Sequence, residues 1–264
     1  MTGGSLPPGS GSPIGANPSF SDLIKTSRAE AVPPMQPPHA AEPPHGTTVL
    51  GLKFEGGVIM AGDKRAIEGF SIADDRMEKV FPADELSAIA ISGAAGQATE
   101  IVRLFQTELE HYEKVTGDRL SLEGKANRLA QMIRENFPLA MQGLVVVPLF
   151  GGFDERRSEG RLFRYDATGG RWEDENFHAT GSGGRAAKGT LKKRWKPGLT
   201  REEAVRVTTE ALSDASQEDV GTGGPDLERG IFPTVLLLTA EGVEEAGEEE
   251  LRSAAERVAG EEEG

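Results

Sequence analysis

The chain has 264 residues and carries 43 Asp and Glu against 29 Lys and Arg, a formal net charge of −14. Nucleic-acid binding needs clustered Lys and Arg, so this acidity argues against nucleic acid as a direct partner. The sequence contains no cysteine, which excludes disulfides, thiolate catalysis and thiolate metal sites and fits a reducing compartment. No apolar run approaches the ~20 residues of a membrane span and no signal peptide is evident, so we expect a cytoplasmic protein with no membrane partner.

Residues 1–46 differ in composition from the rest of the chain. They are rich in Gly, Pro and Ser, with proline pairs at positions 33–34, 37–38 and 43–44. Because proline cannot continue a helix or a central strand, we expect disorder here, apart from one short amphipathic turn at residues 20–24. Taken alone, the segment is typical of a linker or tail. The residues that follow it favour a leader that is removed.

The folded domain is expected to begin abruptly at Thr47 and to reach residue 259. Residues 47–54 are rich in β-formers, the turn signal Glu55-Gly56-Gly57 follows, and residues 58–61 form a second apolar run. This pattern predicts a β-hairpin. Residues 86–91 predict another strand, which leads into a glycine-rich run.

Two long helices are predicted next. The first has one apolar face, because large side chains recur at spacings of four, four and three residues: Ile101, Phe105, Leu109 and Tyr112. The second covers residues 122–142 and carries Leu129, Ile133 and Phe137 on one stripe. Pro138 should bend or shorten this second helix.

Strands return at residues 144–150 and 161–165. A glycine-rich turn at 181–184 precedes a short helix. Thr200 and Glu203 then have the spacing of a capping box, which predicts the start of another helix.

Residues 234–239 predict a strongly apolar last strand. Leu251, Ala255 and Val258 could line a short terminal helix, and the Glu-rich residues 260–264 are expected to form a solvated acidic tail because like charges repel. Strands and helices thus come in separate runs, which favours an α+β fold built in layers over alternating βαβ units. A two-sheet core with helices outside accommodates this order.

Several motifs resemble binding sites but lack an essential residue. Gly57 and Gly62 have the spacing of a phosphate-binding loop, but Asp63 stands where Lys is needed and would repel phosphate. The glycines of 181–189 also miss that pattern. The histidines show no metal-ligand spacing, so we expect no metal and no cofactor: His39, His45, His111 and His178.

A threonine at a chain terminus can supply both nucleophile and base. Its hydroxyl attacks a carbonyl, and its free α-amine, with a reference pKa of about 7.7–8.0, accepts the proton. A nearby lysine lowers that pKa, a carboxylate keeps the lysine charged, and a backbone N–H at a glycine turn stabilises the oxyanion. The sequence offers each element: the Gly46-Thr47 junction, Asp63, Lys79 and Gly93. Because Thr47 is internal as translated, the leader must be cut off after Gly46.

In this order and at these intervals the motifs resemble the catalytic β subunits of proteasomes, in particular the actinobacterial type. The resemblance covers residues 47–240 and rests on these segments: Gly46-Thr47-Thr48-Val49, Gly62-Asp63-Lys64-Arg65, Lys79-Val80-Phe81, Ser92-Gly93, His111-Tyr112-Glu113-Lys114, Gly181-Ser182-Gly183, Asp219-Val220-Gly221-Thr222-Gly223-Gly224 and Pro225-Asp226-Leu227. Asp63, Lys79 and Gly93 stand 16, 32 and 46 residues beyond Thr47. These intervals select Thr47 rather than Thr48 as the new terminus.

The resemblance implies a four-layer αββα sandwich of two antiparallel sheets flanked by helices, the N-terminal-nucleophile hydrolase fold. It also implies a threonine endopeptidase in which Thr47 becomes the nucleophile after autocatalytic cleavage of its bond to Gly46. Lys79, paired with Asp63, would lower the pKa of the nucleophile. The other implied site residues are Gly93 as oxyanion donor, Ser182 and Asp219 as holders of the amine and its water, and Thr222, where many relatives have serine.

The resemblance also implies a substrate pocket at six mostly apolar positions: Ala66, Met77, Phe81, Ile91, Ala95 and Thr99. We therefore expect cleavage of unfolded proteins after apolar residues. The implied partners are proteasome α subunits and further β subunits in a seven-membered ring. Through the α ring they extend to a regulatory ATPase ring and to substrates tagged with a ubiquitin-like protein.

Three alternatives remain open from the sequence. The chain could be an inactive subunit that only builds the ring, although intact Thr47, Asp63 and Lys79 argue against this. It could be the simpler bacterial two-ring relative, which is shorter and lacks a long leader. It could be an unrelated amidase with the same terminal chemistry, although such chains are usually longer.

Overall fold

Two five-stranded antiparallel sheets lie at the centre of the computed structural model, which describes residues 46–68 and 71–262. The first sheet contains, in spatial order, β10 (Phe177–Gly181), β1 (Thr48–Phe54), β2 (Gly57–Gly62), β11 (Thr234–Thr239) and β12 (Gly242–Glu245). The second contains β5 (Val80–Asp84), β6 (Ser87–Gly93), β7 (Val146–Asp154), β8 (Glu159–Tyr165) and β9 (Arg171–Asp174). The short strands β3 (Ala66–Glu68) and β4 (Ser71–Asp74) pair with each other.

Six helices complete the described part of the chain: α1 (Ala95–Thr116), α2 (Leu122–Glu135), α3 (Phe137–Ala140), α4 (Gly184–Arg194), α5 (Arg201–Glu218) and α6 (Glu248–Glu262). Helices α4, α5 and α6 pack on the outer face of the first sheet. Helices α1 and α2 pack on the outer face of the second sheet. The predictions for residues 1–45, including the turn at 20–24, and for residues 263–264 lie outside the described residues.

Three apolar cores separate the layers. Successive residues of a strand face opposite sides, so Val49 enters the core between the two sheets while Leu50 enters the core beneath α4 to α6. The third core lies between the second sheet and α1 and α2. In that core Phe150 packs edge-on against Phe105 and is stacked on Phe163. The predicted α+β class and the four-layer αββα sandwich are confirmed.

Both long helices are present, but two predicted core residues are wrong. Tyr112 is 40% exposed, because the last buried residue of α1 is Leu109 and its final turns lie beyond the core. Helix α2 ends at Glu135, so Phe137 belongs to the separate helix α3 and is 38% exposed. The break agrees with the expected effect of Pro138, which has no N–H to continue the helix.

The first or last residues of some strands and helices also differ from the prediction. Strand β7 begins at Val146 rather than 144, because its pairing with β6 starts opposite Gly93 and the two preceding apolar residues are exposed. The predicted capping box of α5 is present: Thr200 N–H donates to Glu203, and Glu203 N–H donates back to the Thr200 hydroxyl. Helix α6 continues through Glu262, so the first residues of the predicted tail are helical.

Within the described ranges, no helix combines the length and the apolar character that crossing a membrane requires.

Candidate active site

The start of β1 and the end of β2 lie side by side, because the two strands pair as an antiparallel hairpin with Val49 opposite Gly62. The pairing continues past the strand ends. The N–H of Asp63 donates to the Thr48 carbonyl (3.1 Å), and the N–H of Thr48 donates to Asp63 Oδ1 (2.7 Å). The hairpin therefore holds the Asp63 carboxylate against the backbone that follows Thr47.

Lys79 approaches the same carboxylate from the residue before β5. Its Nζ donates to Asp63 Oδ1 (2.8 Å) and to the carbonyl of Arg65 (2.5 Å), and it lies 3.4 Å from the carbonyl oxygen of Gly46. The pair is enclosed, with side-chain exposures of 4% for Lys79 and 0% for Asp63. Burial lowers the pKa of Lys79 from its usual value, and the neighbouring Asp63 opposes this shift.

The Asp63 carboxylate uses all of its hydrogen-bonding capacity. Oδ1 accepts the bonds from Thr48 and Lys79, and Oδ2 accepts the N–H groups of Arg65 and Gly223, both at 2.9 Å. A carboxylate has about four lone-pair sites, so the group is held in one orientation. It joins the β1–β2 hairpin, Lys79 and the turn after α5.

A second set of hydrogen bonds surrounds the backbone nitrogen of Thr47. This N–H donates to Ser182 Oγ (3.1 Å), in the turn between β10 and α4. The Ser182 hydroxyl donates to Asp219 Oδ2 (2.5 Å), and Asp219 caps the C-terminus of α5. The Ser182 N–H also donates to the Thr47 carbonyl (2.9 Å). The nitrogen that cleavage would free is therefore bonded to Ser182, and Ser182 to Asp219.

Thr222 also bonds to the carboxylate of Asp219. Its Oγ1 donates to Asp219 Oδ2 (2.6 Å) and lies 2.7 Å from Oγ1 of Thr48. Thr48 Oγ1 in turn accepts the N–H of Gly183 (2.9 Å). Glycine is required at 183, because a Cβ there would lie 2.6 Å from Thr48 Oγ1.

The peptide group before Thr47 is packed inside the site. A Cβ at Gly46 would lie 2.1 Å from the Cα of Gly221, and a Cβ at Gly221 would lie 2.5 Å from the Cα of Gly46. Thr47 Oγ1 donates to the Gly46 carbonyl oxygen (2.7 Å). The Thr47 hydroxyl and the Lys79 ammonium thus meet at one carbonyl.

The side chain of Arg65 links the two halves of the site. Its Nη1 lies 3.2 Å from the carbonyl oxygens of both Val220 and Thr222. Its own backbone bonds Asp63 and Lys79. Sequence reasoning missed this contact, as it missed the hydroxyl of Thr48 and the role of Gly221. All three residues lie within the quoted motifs, but the contacts join segments far apart in the chain.

Gly93 lies outside this set of hydrogen bonds. It ends β6 opposite Val146, with a φ of +119° that favours glycine. A Cβ at this position would lie 2.1 Å from the carbonyl oxygen of Val145, so the close approach also requires glycine. Its role as oxyanion donor stays a prediction.

The six predicted pocket positions lie on several elements: Ala66 in β3, Met77 before β5, Phe81 in β5, Ile91 in β6, and Ala95 and Thr99 in the first turns of α1. Ile91 is buried in the core beneath α1 and α2, and its N–H donates to the Lys79 carbonyl (2.9 Å). A substrate-binding role for these residues stays a prediction.

The site brings the Thr47 hydroxyl and the buried Lys79 ammonium to a single peptide carbonyl, and the Asp63 carboxylate holds that ammonium. These are the groups that acyl transfer to a hydroxyl requires. Among residues 46–68 and 71–262, no group of three or more His, Asp and Glu side chains is arranged to hold a metal ion. Of the histidines within these ranges, His111 is exposed on α1, and His178 lies 3.1 Å from Asp174.

Comparison with known proteins gives a consistent result. A family described as "Proteasome subunit" matches residues 44–226. A protein of Acidimicrobium ferrooxidans named "Proteasome subunit beta" is 57% identical over 226 residues, which are 85% of this chain and 83% of that relative. A protein of the same name from Streptomyces griseus is 53% identical over 230 residues, 85% of this chain and 81% of the relative.

Proposed function

Because this chain belongs to the proteasome subunit family, we propose that it is a threonine peptidase whose nucleophile, Thr47, is exposed by removal of residues 1–46. Family membership makes it a peptidase subunit that assembles with other subunits into a proteasome core. The proposal adds the type of peptidase, the role of the leader and the residues that carry the reaction.

One observation carries the proposal: two groups converge on the carbonyl oxygen of Gly46. The Thr47 hydroxyl lies 2.7 Å away and the Lys79 ammonium 3.4 Å away. When the Thr47 oxygen bonds to the carbonyl carbon, negative charge develops on the carbonyl oxygen, where a buried ammonium stabilises it. The Gly46–Thr47 amide bond then breaks, and the Thr47 nitrogen takes up the proton that the hydroxyl has lost. An ester between the Gly46 carbonyl carbon and the Thr47 side-chain oxygen remains. Water hydrolyses the ester and releases the leader and a free Thr47 amine.

The same groups serve substrate cleavage. The Thr47 hydroxyl attacks a peptide carbonyl while its amine accepts the proton, giving an acyl-enzyme that water hydrolyses. Lys79, kept charged by Asp63, lowers the pKa of the hydroxyl. Ser182 and Asp219 orient the amine, and the N–H of Gly93 is the proposed oxyanion donor.

The test is the intact mass of the assembled protein together with a Thr47→Ala variant. We expect wild-type particles to contain a chain that begins at Thr47. Thr47→Ala should keep its leader and lose peptide cleavage while the fold remains intact. Thr47→Ser is the matched control, because it retains a hydroxyl and should still be processed. Peptidase-active particles that keep the leader, or unchanged cleavage by Thr47→Ala, would overturn the proposal.

Specificity and partners extend the proposal. The mostly apolar character of the six predicted pocket positions favours cleavage after apolar residues, which a panel of peptides differing only at that residue would test. We further propose assembly in the cytoplasm with α subunits and with β subunits in a seven-membered ring. A regulatory ATPase ring and tagged substrates would act through the α subunits. A purely architectural role is disfavoured because Thr47, Asp63 and Lys79 are all present and in one cluster.

A further inference from the structure

Thr48 has a buried hydroxyl for which the proposed reaction has no use. The residue is fully buried, and its Oγ1 accepts the N–H of Gly183 at 2.9 Å and lies 2.7 Å from Oγ1 of Thr222. Gly183 permits this approach, since a Cβ there would lie 2.6 Å from the Thr48 oxygen and 2.8 Å from the Thr222 oxygen. The site therefore accommodates two hydroxyls in direct contact.

The direction of the bond between the two hydroxyls follows from counting protons. A hydroxyl has one hydrogen to donate. Thr222 donates its hydrogen to Asp219 Oδ2 (2.6 Å), so the bond between Thr48 and Thr222 must be donated by Thr48. A one-way chain results, from the Gly183 N–H through Thr48 and Thr222 to Asp219.

A second chain ends on the same oxygen. The Thr47 nitrogen donates to Ser182 Oγ, and Ser182 donates to Asp219 Oδ2. Asp219 Oδ2 is therefore shared between the hydroxyl pair and the group that holds the Thr47 nitrogen. A change in the first chain must alter how strongly this carboxylate acts on the second, because donors on one acceptor compete and linked hydrogen bonds polarise one another.

We propose that Thr48 is a positioning residue of the peptidase. Its hydroxyl orients the Thr222 hydroxyl toward Asp219, and this fixes Asp219 for Ser182 and the amine of Thr47. The inference rests on the proposed function, because it concerns the amine that leader removal exposes. It assigns the second residue of the mature chain a role separate from that of the first.

The sign of the expected pH effect follows from the charges around Thr47. The charged groups on the surrounding elements are Asp63, Lys79, Arg65 and Asp219. Without the Thr48 hydroxyl, Thr222 donates more weakly and Asp219 keeps more negative charge. This charge favours the protonated amine of Thr47 and raises its pKa. Since the amine must be neutral to act as base, the acidic limb of the activity profile should move to higher pH.

The test compares Thr48→Val, which removes the hydroxyl and keeps the shape, with Thr48→Ser, which restores a hydroxyl. Assembled particles with a chain start at Thr47, checked by intact mass, are assayed with one fluorogenic peptide. We expect Thr48→Val to lower kcat by about 5-fold or more, with KM nearly unchanged, and to move the acidic limb up by about 0.3 pH units or more. Thr48→Ser should restore most of both.

A control and a double variant separate positioning from simple stability. Thr209 is also fully buried, and its hydroxyl donates to the Val205 carbonyl inside α5. Thr209→Val should at most lower the melting temperature, and kcat and the acidic limb of the activity profile should stay unchanged. In a Thr222→Val background, Thr48→Val should cause no further loss of kcat, because the chain is already broken.

Each other outcome argues against the inference. Fully processed Thr48→Val particles with unchanged kcat and an unchanged limb would overturn it, and so would an undiminished effect in the Thr222→Val background. If Thr48→Val does not assemble, Thr48→Ala is tested in its place. If neither variant assembles while Thr48→Ser does, Thr48 has a purely structural role and the inference is wrong. A wild-type chain that does not begin at Thr47 would instead contradict the proposed function itself.

Discussion

At the scale of single residues, the site depends on the four hydrogen bonds that the Asp63 carboxylate accepts. Two of them come from the backbone N–H groups of Arg65 and Gly223, which both bond to Oδ2. The other two, from Thr48 and Lys79, bond to Oδ1. No neutral side chain of the same shape can accept all four, because an amide offers one oxygen and one NH₂ group.

Asp63→Asn should therefore lose both stability and activity. Either orientation of the amide points an NH₂ group at two donors, and the buried Lys79 loses its counter-charge. Breaking a buried ion pair in this way costs about 3–5 kcal/mol of unfolding free energy. We expect a loss of this size in urea unfolding of the unassembled precursor and little peptide cleavage by any particles that form.

Asp154→Asn is the matched control for that prediction. Asp154 is also buried and pairs with the buried Arg161 at 3.0 Å, and Arg161 in turn pairs with Glu123 of α2, away from Thr47. This variant should lose stability and keep its peptide cleavage per assembled particle. Equal cleavage by the two variants would contradict the role given to Asp63.

The residues of the cluster were predictable to different degrees. Thr47, Asp63 and Lys79 were singled out because their intervals along the chain match those of the family that the sequence resembles, and the structure brings these three residues together. The contacts of Arg65 with the turn at 219–222 join positions more than 150 residues apart. No local pattern encodes such a contact, so it emerged only from the fold.

At the scale of elements, the turn after α5 packs directly against Gly46. Gly221 lies against Gly46 with no space for a side chain on either residue. Two hydrogen bonds also tie the turn to the site: the N–H of Gly223 donates to Asp63, and the Ser182 hydroxyl donates to Asp219. Gly221 and Gly46 thus pack this closely only because both are glycine.

Gly221→Ala should slow leader removal without harming the mature site. The new Cβ would lie 2.5 Å from the Cα of Gly46, whereas its next contacts are ordinary. We expect intact mass to reveal uncut precursor. A chain produced to begin at Thr47 should cleave peptides normally with the same substitution, because Gly46 is then absent.

Gly189→Ala provides the control for this turn. Gly189 lies inside α4, and a Cβ there meets nothing within 4 Å. Its leader should be removed at the wild-type rate. If Gly221→Ala is also processed at that rate, the close packing of the two glycines has no part in cleavage.

The spacing of apolar residues predicted the helices correctly where they pack on the core. It was wrong at the ends of the helices. Ile101, Phe105 and Leu109 are buried as their spacing indicates. Tyr112 and Phe137 continue the same spacing but are exposed, because the helices pass the edge of the core or break at a proline. The period of the apolar residues indicates which face of a helix is apolar. It does not indicate where along the helix the sheet beneath it ends.

At the scale of the whole molecule, one exposed apolar segment lies between α2 and β7. Its large side chains are 36% to 72% exposed: Phe137, Met141, Leu144 and Val145. Large exposed apolar side chains grouped in one short segment make it a candidate interaction surface, because exposed apolar patches mark such sites. The segment also adjoins Gly93, because the Val145 carbonyl accepts the N–H of Ala94, the next residue (2.9 Å). The sequence predicted partners by resemblance but gave no indication of this surface.

Met141→Lys should weaken assembly of the core without unfolding the subunit. Met141 is 72% exposed, so the substitution disturbs no packing inside the chain. Burial of an exposed apolar side chain of this size at an interface contributes about 1.5–3 kcal/mol, which a lysine would forfeit. We expect native mass spectrometry of the subunit co-expressed with its partners to show a several-fold smaller assembled fraction, at an unchanged melting temperature of the free subunit.

Gln142→Lys separates loss of apolar surface from gain of charge. Gln142 is the next residue, is also exposed, and already presents a polar side chain. If apolar contact drives binding at this segment, Gln142→Lys should assemble nearly as well as the wild type while Met141→Lys does not. Equal losses would indicate that charge repels the partner there, and two unaffected variants would mean that the segment stays exposed in the particle.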